Sequence, residues 1–356
     1  MSENAETYGE NLPLHYSATS ENVKLIGRYC IKNNVTWLVQ SGSAVEFNIC
    51  GSFAEVTFNE DNSPVAEKPR FAVFVDDKQI YDGLMNEKKV KIRLFSEKSA
   101  QNATAKIILL SEGIIGIGDI SVVSDKKIPV HPTAEKPLKI EFIGDSITCA
   151  YGVEAESALV PFSTSCENFM MSYAYLTAQL LDADYTTFCY SGYGIISGYS
   201  TGQKVTDSLI PDYYPFASKN KNYAQKWDFK DKPNDVVVIN LGTNDSSYLK
   251  YNFDEYSTEF TEKYEAFLNV VRCMNPDAYI ICTVGTMGGK EVYNLIEKAI
   301  ENFTVRKNDK KISCYLSAEQ KSCDGYGSDW HPSAVTQKKS ASLLAEKIRK
   351  IIKRHL

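Results

Sequence analysis

Between Val23 and about Val123 the apolar residues come in short runs cut by turn-forming residues. The runs are 35–39, 44–49, 55–58, 71–75, 90–95 and 105–110, and between them stand Ser41-Gly42, Cys50-Gly51-Ser52, Glu60-Asp61-Asn62-Ser63-Pro64 and Asp76-Asp77. Within one run Val90, Ile92 and Leu94 alternate with Lys89, Lys91 and Arg93, the period of a strand with one buried and one wet face. No convincing helical period interrupts them. The pattern predicts a β-sandwich of jelly-roll type. It is read first as a scaffold packed on its neighbour, with a carbohydrate-binding or substrate-shaping module as the alternative, and Trp37 as core or platform.

The segment 125–137 carries Pro129, Pro132 and Pro137 among charges and reads as a linker, which divides the chain into 1–132 and 133–356. Beyond it the rhythm changes. Apolar runs at 139–143, 185–189, 235–241, 278–284 and 311–316 alternate with helical patterns, for example Tyr173, Leu176 and Leu180, or Phe260, Tyr264, Phe267, Leu268, Val271 and Met274. Two more helices are expected around Val292–Phe303 and Leu344–Ile352. Short strands alternating with helices predict a parallel α/β sheet covered on both faces.

Loops after the strands of such a sheet share one rim, where ligands bind. Four carry chemistry: Gly144-Asp145-Ser146, Ser191-Gly192-Tyr193-Gly194, Gly242-Thr243-Asn244-Asp245, and Ser328-Asp329-Trp330-His331-Pro332. The chain has only four histidines, and of His15, His131, His331 and His355 only His331 lies in this rim. A serine at a strand end and one well-placed histidine suit nucleophilic catalysis, because a serine hydroxyl needs a neighbouring base. Asp145 and Asp245 are read as acceptors that fix their loops. The stretch Gly192–Gly198 resembles a dinucleotide fingerprint, but its spacing is one residue too long and a turn-rich segment follows, so that reading fails.

Composition narrows the partner. With 39 basic and 45 acidic residues, a net charge of −6 and no isolated basic block, nothing indicates nucleic acid or an anionic membrane. The acidic opening lacks a leader pattern, so a cytoplasmic location is expected. Nine scattered cysteines suggest reduced thiols, not a disulfide framework or a metal site. The triplets at Asn34, Asn102 and Asn302 are then coincidental as glycosylation sites. Scattered histidines also argue against a metal-dependent deacetylase.

The four rim stretches, in this order over the chain from Lys139 onward, resemble the blocks of the SGNH or GDSL-type hydrolases. That resemblance implies a flavodoxin-like three-layer sandwich. It makes Ser146 the nucleophile and His331 its base, with an oxyanion hole from the Ser146 and Gly192 N–H groups and the Asn244 side chain. Gly194 is the alternative to Gly192. Many members carry Asp-x-x-His, whereas here Ser328 holds that position and the acid, Asp329, stands two before His331. Residues two apart in an extended segment share a side, so Asp329 is the candidate to orient the imidazole; a backbone carbonyl leaving a Ser-His dyad is the alternative.

A β-sandwich before such a hydrolase, with Asp329-Trp330-His331-Pro332 late in the chain, looks like the family 2 carbohydrate esterases. This implies an O-acetyl esterase acting on acetylated xylan or (gluco)mannan oligosaccharides or polysaccharides, with no metal or cofactor. Trp330, and secondarily Tyr193 and Trp227, are expected to meet the sugar. A carbohydrate-binding protein without catalysis, or an esterase or lipase for non-carbohydrate esters, is the alternative.

Overall fold

The protein is described by a computed structural model covering residues 12–62 and 68–355, the side chains at the C-terminal end being described as far as Lys353. The acidic opening and the Ser63-Pro64 end of one predicted turn lie outside the described residues.

Ten strands come first: β1 (Leu14–Ser17), β2 (Lys24–Ile26), β3 (Tyr29–Lys32), β4 (Val35–Leu38), β5 (Ala44–Glu60), β6 (Arg70–Val75), β7 (Lys78–Leu84), β8 (Lys89–Leu109), β9 (Ile115–Val123) and β10 (Val130–Pro132). Among the described residues they form one antiparallel sheet, a jelly-roll-like half-barrel with the path β3-β4-β9-β5-β8-β6-β7. Two predicted breaks are not breaks. Cys50-Gly51-Ser52 continues β5 through a bulge with register shifts at Gly51/Phe53 and Ala54/Glu55, which bends the strand without ending it. Because of that bend β5 pairs with β2 and β10 along its first half and with β9 along its second. β8 likewise runs unbroken across 96–104, where its polar residues face solvent.

β10 still pairs with β5, and β11 (Leu138–Gly144) opens the second sheet, so the chain changes sheets between 132 and 138. Parallel strands β12 (Ala183–Cys189), β13 (Val236–Asn240), β14 (Tyr279–Val284) and β15 (Ile312–Leu316) follow, in the order β12-β11-β13-β14-β15. Numbered from β11 this is 2-1-3-4-5, the flavodoxin-like order whose crevice lies between the first and third strands. β13 is buried at all five residues, as expected of a strand with helices on both sides.

The helices are α1 (Ser146–Cys149), α2 (Tyr173–Leu180), α3 (Ile210–Tyr213), α4 (Thr243–Met274), α5 (Lys290–Lys307) and α6 (Ala334–His355). α2 and α6 pack together on one side, α4 and α5 on the other. The predicted helix from Phe260 begins much earlier, at Thr243, and bends at Asn252 (φ −139°), whose side chain donates to the Tyr248 and Gly202 carbonyls. Described helices include none long and apolar enough to cross a membrane.

The two sheets share one interior. Ile26, Ala44, Ala72 and Ile108 of the first join Ile140, Phe142 and Val238 of the second in a single buried cluster. At the seam Arg28 is wholly buried and donates to Glu141 Oε1 at 2.8 Å and to the carbonyls of Tyr214 and Phe216, both at 2.6 Å. Tyr214 Oη donates to the other Glu141 oxygen at 2.7 Å, so the buried carboxylate is bound on both sides.

Candidate active site

Gly144 ends β11 with no side chain because none fits: a Cβ there would sit 2.0 Å from Thr148 Oγ1. Asp145 then caps α1, its Oδ1 accepting the Ile147 N–H at 3.0 Å. Ser146 follows at the first helical position, and Ala150 closes the turn in the left-handed region (φ 65°). Among the described residues the Ser146 N–H has no intramolecular acceptor. The next loop residue, Gly152, allows the histidine loop to approach, for a Cβ would lie 2.3 Å from Ser328 Cβ.

Ser146 Oγ lies 2.8 Å from His331 Nε2, and His331 Nδ1 lies 3.0 Å from the Ser328 carbonyl. A carbonyl only accepts, so Nδ1 carries the proton and Nε2 presents a lone pair to the serine hydroxyl. Burial lowers the His331 pKa, against the opposing pull of the Ser328 carbonyl and the Asp329 charge. The imidazole is thus held neutral, as a base must be.

Asp329 does not occupy the place behind the ring. The segment is a tight turn instead of an extended strand: Asp329 (φ 50°) and Trp330 (φ 64°) are both left-handed, which swings the carboxylate outward. There Asp329 Oδ2 accepts the Tyr151 hydroxyl at 2.8 Å. The Ser328 carbonyl makes the contact expected of Asp329.

On the opposite rim Gly192 has φ 81° and open space where a Cβ would be, and its N–H, among the described residues, has no intramolecular acceptor. Gly194 differs. Its N–H donates to the Ser208 carbonyl at 3.1 Å, and a Cβ would lie 2.0 Å from the Ser197 carbonyl. Asn244 Nδ2 donates to the Tyr193 carbonyl at 2.8 Å, while its contact with Asp145 Oδ2 is long at 3.4 Å. Asp245 accepts the N–H groups of Ile195, Ile196 and Ser197, and burial pushes its pKa up to about 6. Asp145, wholly buried and repelled by the Asp245 charge, is pushed up to about 7.

The matching family model is the GDSL-like Lipase/Acylhydrolase family, over residues 142–338. A solved family two carbohydrate esterase from Clostridium thermocellum, in complex with cellohexaose, superposes with TM-score 0.81 at 30% identity, covering 93% of this chain and 99% of that one. The chain belongs to the GDSL-like acylhydrolases, among the family two carbohydrate esterases. That membership makes it a carboxylic ester hydrolase. It is also 33% identical over 315 residues to the Cellulase/esterase CelE of Acetivibrio thermocellus, of which it spans 37%. To an Acetylxylan esterase / glucomannan deacetylase of Cellvibrio japonicus it is 22% identical over 342 residues, covering 90% of that protein.

The aromatic candidates separate in this esterase. Trp330 is 57% exposed beside His331, its edge against Tyr326. Tyr193 is half-buried between Tyr190 and Tyr213, and its carbonyl holds Asn244. Trp227 is not at the rim. It packs edge-on against Tyr29 at 5.4 Å and near Arg28, in the seam between the sheets, because an aromatic there closes the interior.

Four residues beside the site carried no signal in the sequence. Tyr151 lays its ring on His331 (centroids 4.1 Å apart), and Phe162 stacks on Tyr151 at 3.9 Å. Glu112, from the turn between β8 and β9, accepts the Ser191 N–H at 3.0 Å and donates its own N–H to Glu167 at 2.9 Å. Glu167 is fully buried, and that burial together with the Glu112 charge raises its pKa well above the ordinary value.

Proposed function

We propose that this esterase removes O-acetyl groups from acetylated, plant-derived mannan or xylan oligosaccharides through a Ser146–His331 dyad. The observation that carries the reading is the 2.8 Å contact between Ser146 Oγ and an imidazole whose other nitrogen is fixed by the Ser328 carbonyl. The hydroxyl attacks the acetyl carbonyl as His331 Nε2 takes its proton. Negative charge then develops on the carbonyl oxygen, and in this reading the N–H groups of Ser146 and Gly192 and the Asn244 amide are its donors. Collapse expels the sugar alkoxide, which takes the proton from His331. Water, deprotonated by His331 in turn, releases acetate and restores the serine.

The saccharide part of the proposal draws on the relatives, one named a glucomannan deacetylase and one solved with cellohexaose. Exposed Trp330 offers a flat face beside the base, suited to a sugar ring. The test is acetate release from acetylated manno- and xylo-oligosaccharides, compared with turnover of 4-nitrophenyl octanoate. Preference for the acetylated saccharides supports the proposal; preference for the long acyl ester overturns it.

A further inference from the structure

Behind Phe162 a cavity of about 330 Å³ opens between the two sheets, of the size and interdomain position ligand sites favour. Ser41 of the antiparallel sheet forms one wall; Phe162, Tyr190, Ser191, Lys219 and Asn220 of the parallel-sheet layer form the others. It adjoins the catalytic rim at two points: Ser191 precedes Gly192, and Phe162 stacks on the tyrosine that covers His331.

Its walls hold polar groups. The Lys219 ammonium stands 4.4 Å from the ring centres of both Tyr190 and Tyr193, which hold it at the wall. Asn220 spends its oxygen on the Asn222 N–H at 3.0 Å, and among the described residues its amide hydrogens have no acceptor. An acyl chain would leave the Asn220 amide hydrogens unused, and the Glu112 carboxylate in the same wall opposes a strong anion. A pyranose answers both features, since its edge carries donors and acceptors together and its faces stack on aromatic rings.

We propose that this cavity is a second saccharide subsite, holding a sugar unit that flanks the unit whose acetyl group lies at Ser146. Both sheets then bind the oligosaccharide, so the antiparallel sheet helps to set specificity. The inference rests on the saccharide reading proposed above.

The experiment compares wild type with the Lys219→Ala/Asn220→Ala double variant on acetylated mono-, di- and trisaccharides of mannose and xylose. In wild type, kcat/KM rises about tenfold from monosaccharide to trisaccharide, through KM; in the double variant the rise shrinks to less than about twofold. A wild type that releases sugar acetate without the rise, or a variant that keeps it, overturns the subsite. So does a loss confined to 4-nitrophenyl hexanoate, which marks an acyl pocket. A second arm titrates unacetylated trisaccharides into Ser146→Ala protein with and without the two substitutions. Binding that they weaken about tenfold supports the subsite even where no sugar acetate is released, in which case only the proposed reaction falls. Binding they leave unaltered, or no binding, overturns it.

Discussion

Glu112, on the turn between β8 and β9, accepts the N–H of Ser191, the residue just before Gly192, at 3.0 Å. The antiparallel sheet therefore reaches the loop that carries Gly192, and Glu167 holds the turn by accepting the Glu112 N–H. Glu112→Ala removes the acceptor and frees the loop that presents Gly192. We expect kcat on 4-nitrophenyl acetate to fall about tenfold to 10²-fold with little change in KM, since small misplacements at a reacting centre cost that much. Glu112→Gln keeps an oxygen acceptor and should recover most of the rate. Equal rates in all three proteins would remove Glu112 from the machinery.

Asp329 offers a sharper contrast. Loss of the acid in a Ser-His-Asp triad costs about 10⁴-fold in kcat. Here the Ser328 carbonyl holds Nδ1, so Asp329→Ala should cost about tenfold or less. Tyr151→Phe, which frees the carboxylate and keeps the ring on His331, should behave alike. A loss near the triad value would return Asp329 to the place behind the ring.

The pH profile follows from His331. Burial lowers its pKa below the ordinary 6.5, and catalysis needs the neutral ring. The rate should hold from neutral pH down through 6.5 and fall only as acid protonates the ring below that value. In stability terms the sign is the same: the unfolded chain protonates this histidine first, so stability falls as pH drops from 6.5 toward the lowered value. An acid limb of kcat/KM centred above 6.5 would contradict the buried, neutral imidazole.

The two glycines of the second loop should part company. Gly194→Ala would drive a Cβ to 2.0 Å from the Ser197 carbonyl, so soluble expression should collapse. Gly192→Ala meets open space but a strained φ of 81°, so the protein should fold with reduced activity. Circular dichroism and 4-nitrophenyl acetate turnover distinguish them.

At the seam, Arg28→Met leaves the Glu141 carboxylate buried with Tyr214 as its one remaining partner among the described residues. Removing one member of a buried pair typically costs about 3–5 kcal/mol, and urea unfolding should register a loss of that size.

Much of this was legible in the residues. Ser146 stands at the end of an apolar run and His331 is the one histidine in the rim, so their meeting followed from the topology of a parallel sheet. The role expected of Asp329 assumed an extended backbone, and nothing in Ser328-Asp329-Trp330 announces two successive left-handed residues. Glu112 and Glu167 meet only because two sheets pack against each other, a relation no local pattern carries. Trp227 looked like a sugar platform because an aromatic in a loop reads the same whether it faces solvent or a seam. In the antiparallel sheet, Cys50-Gly51-Ser52 has the composition of a turn and the geometry of a bulge.

In the proposed reaction Ser146, served by His331, cleaves the acetyl ester. Acetate release from an acetylated mannotriose, followed for wild type, Ser146→Ala and His331→Ala at matched circular dichroism, tests it most directly. Wild type should release acetate, and each variant should lose at least about 10³-fold of the rate. Release by either variant at a rate near wild type would contradict it.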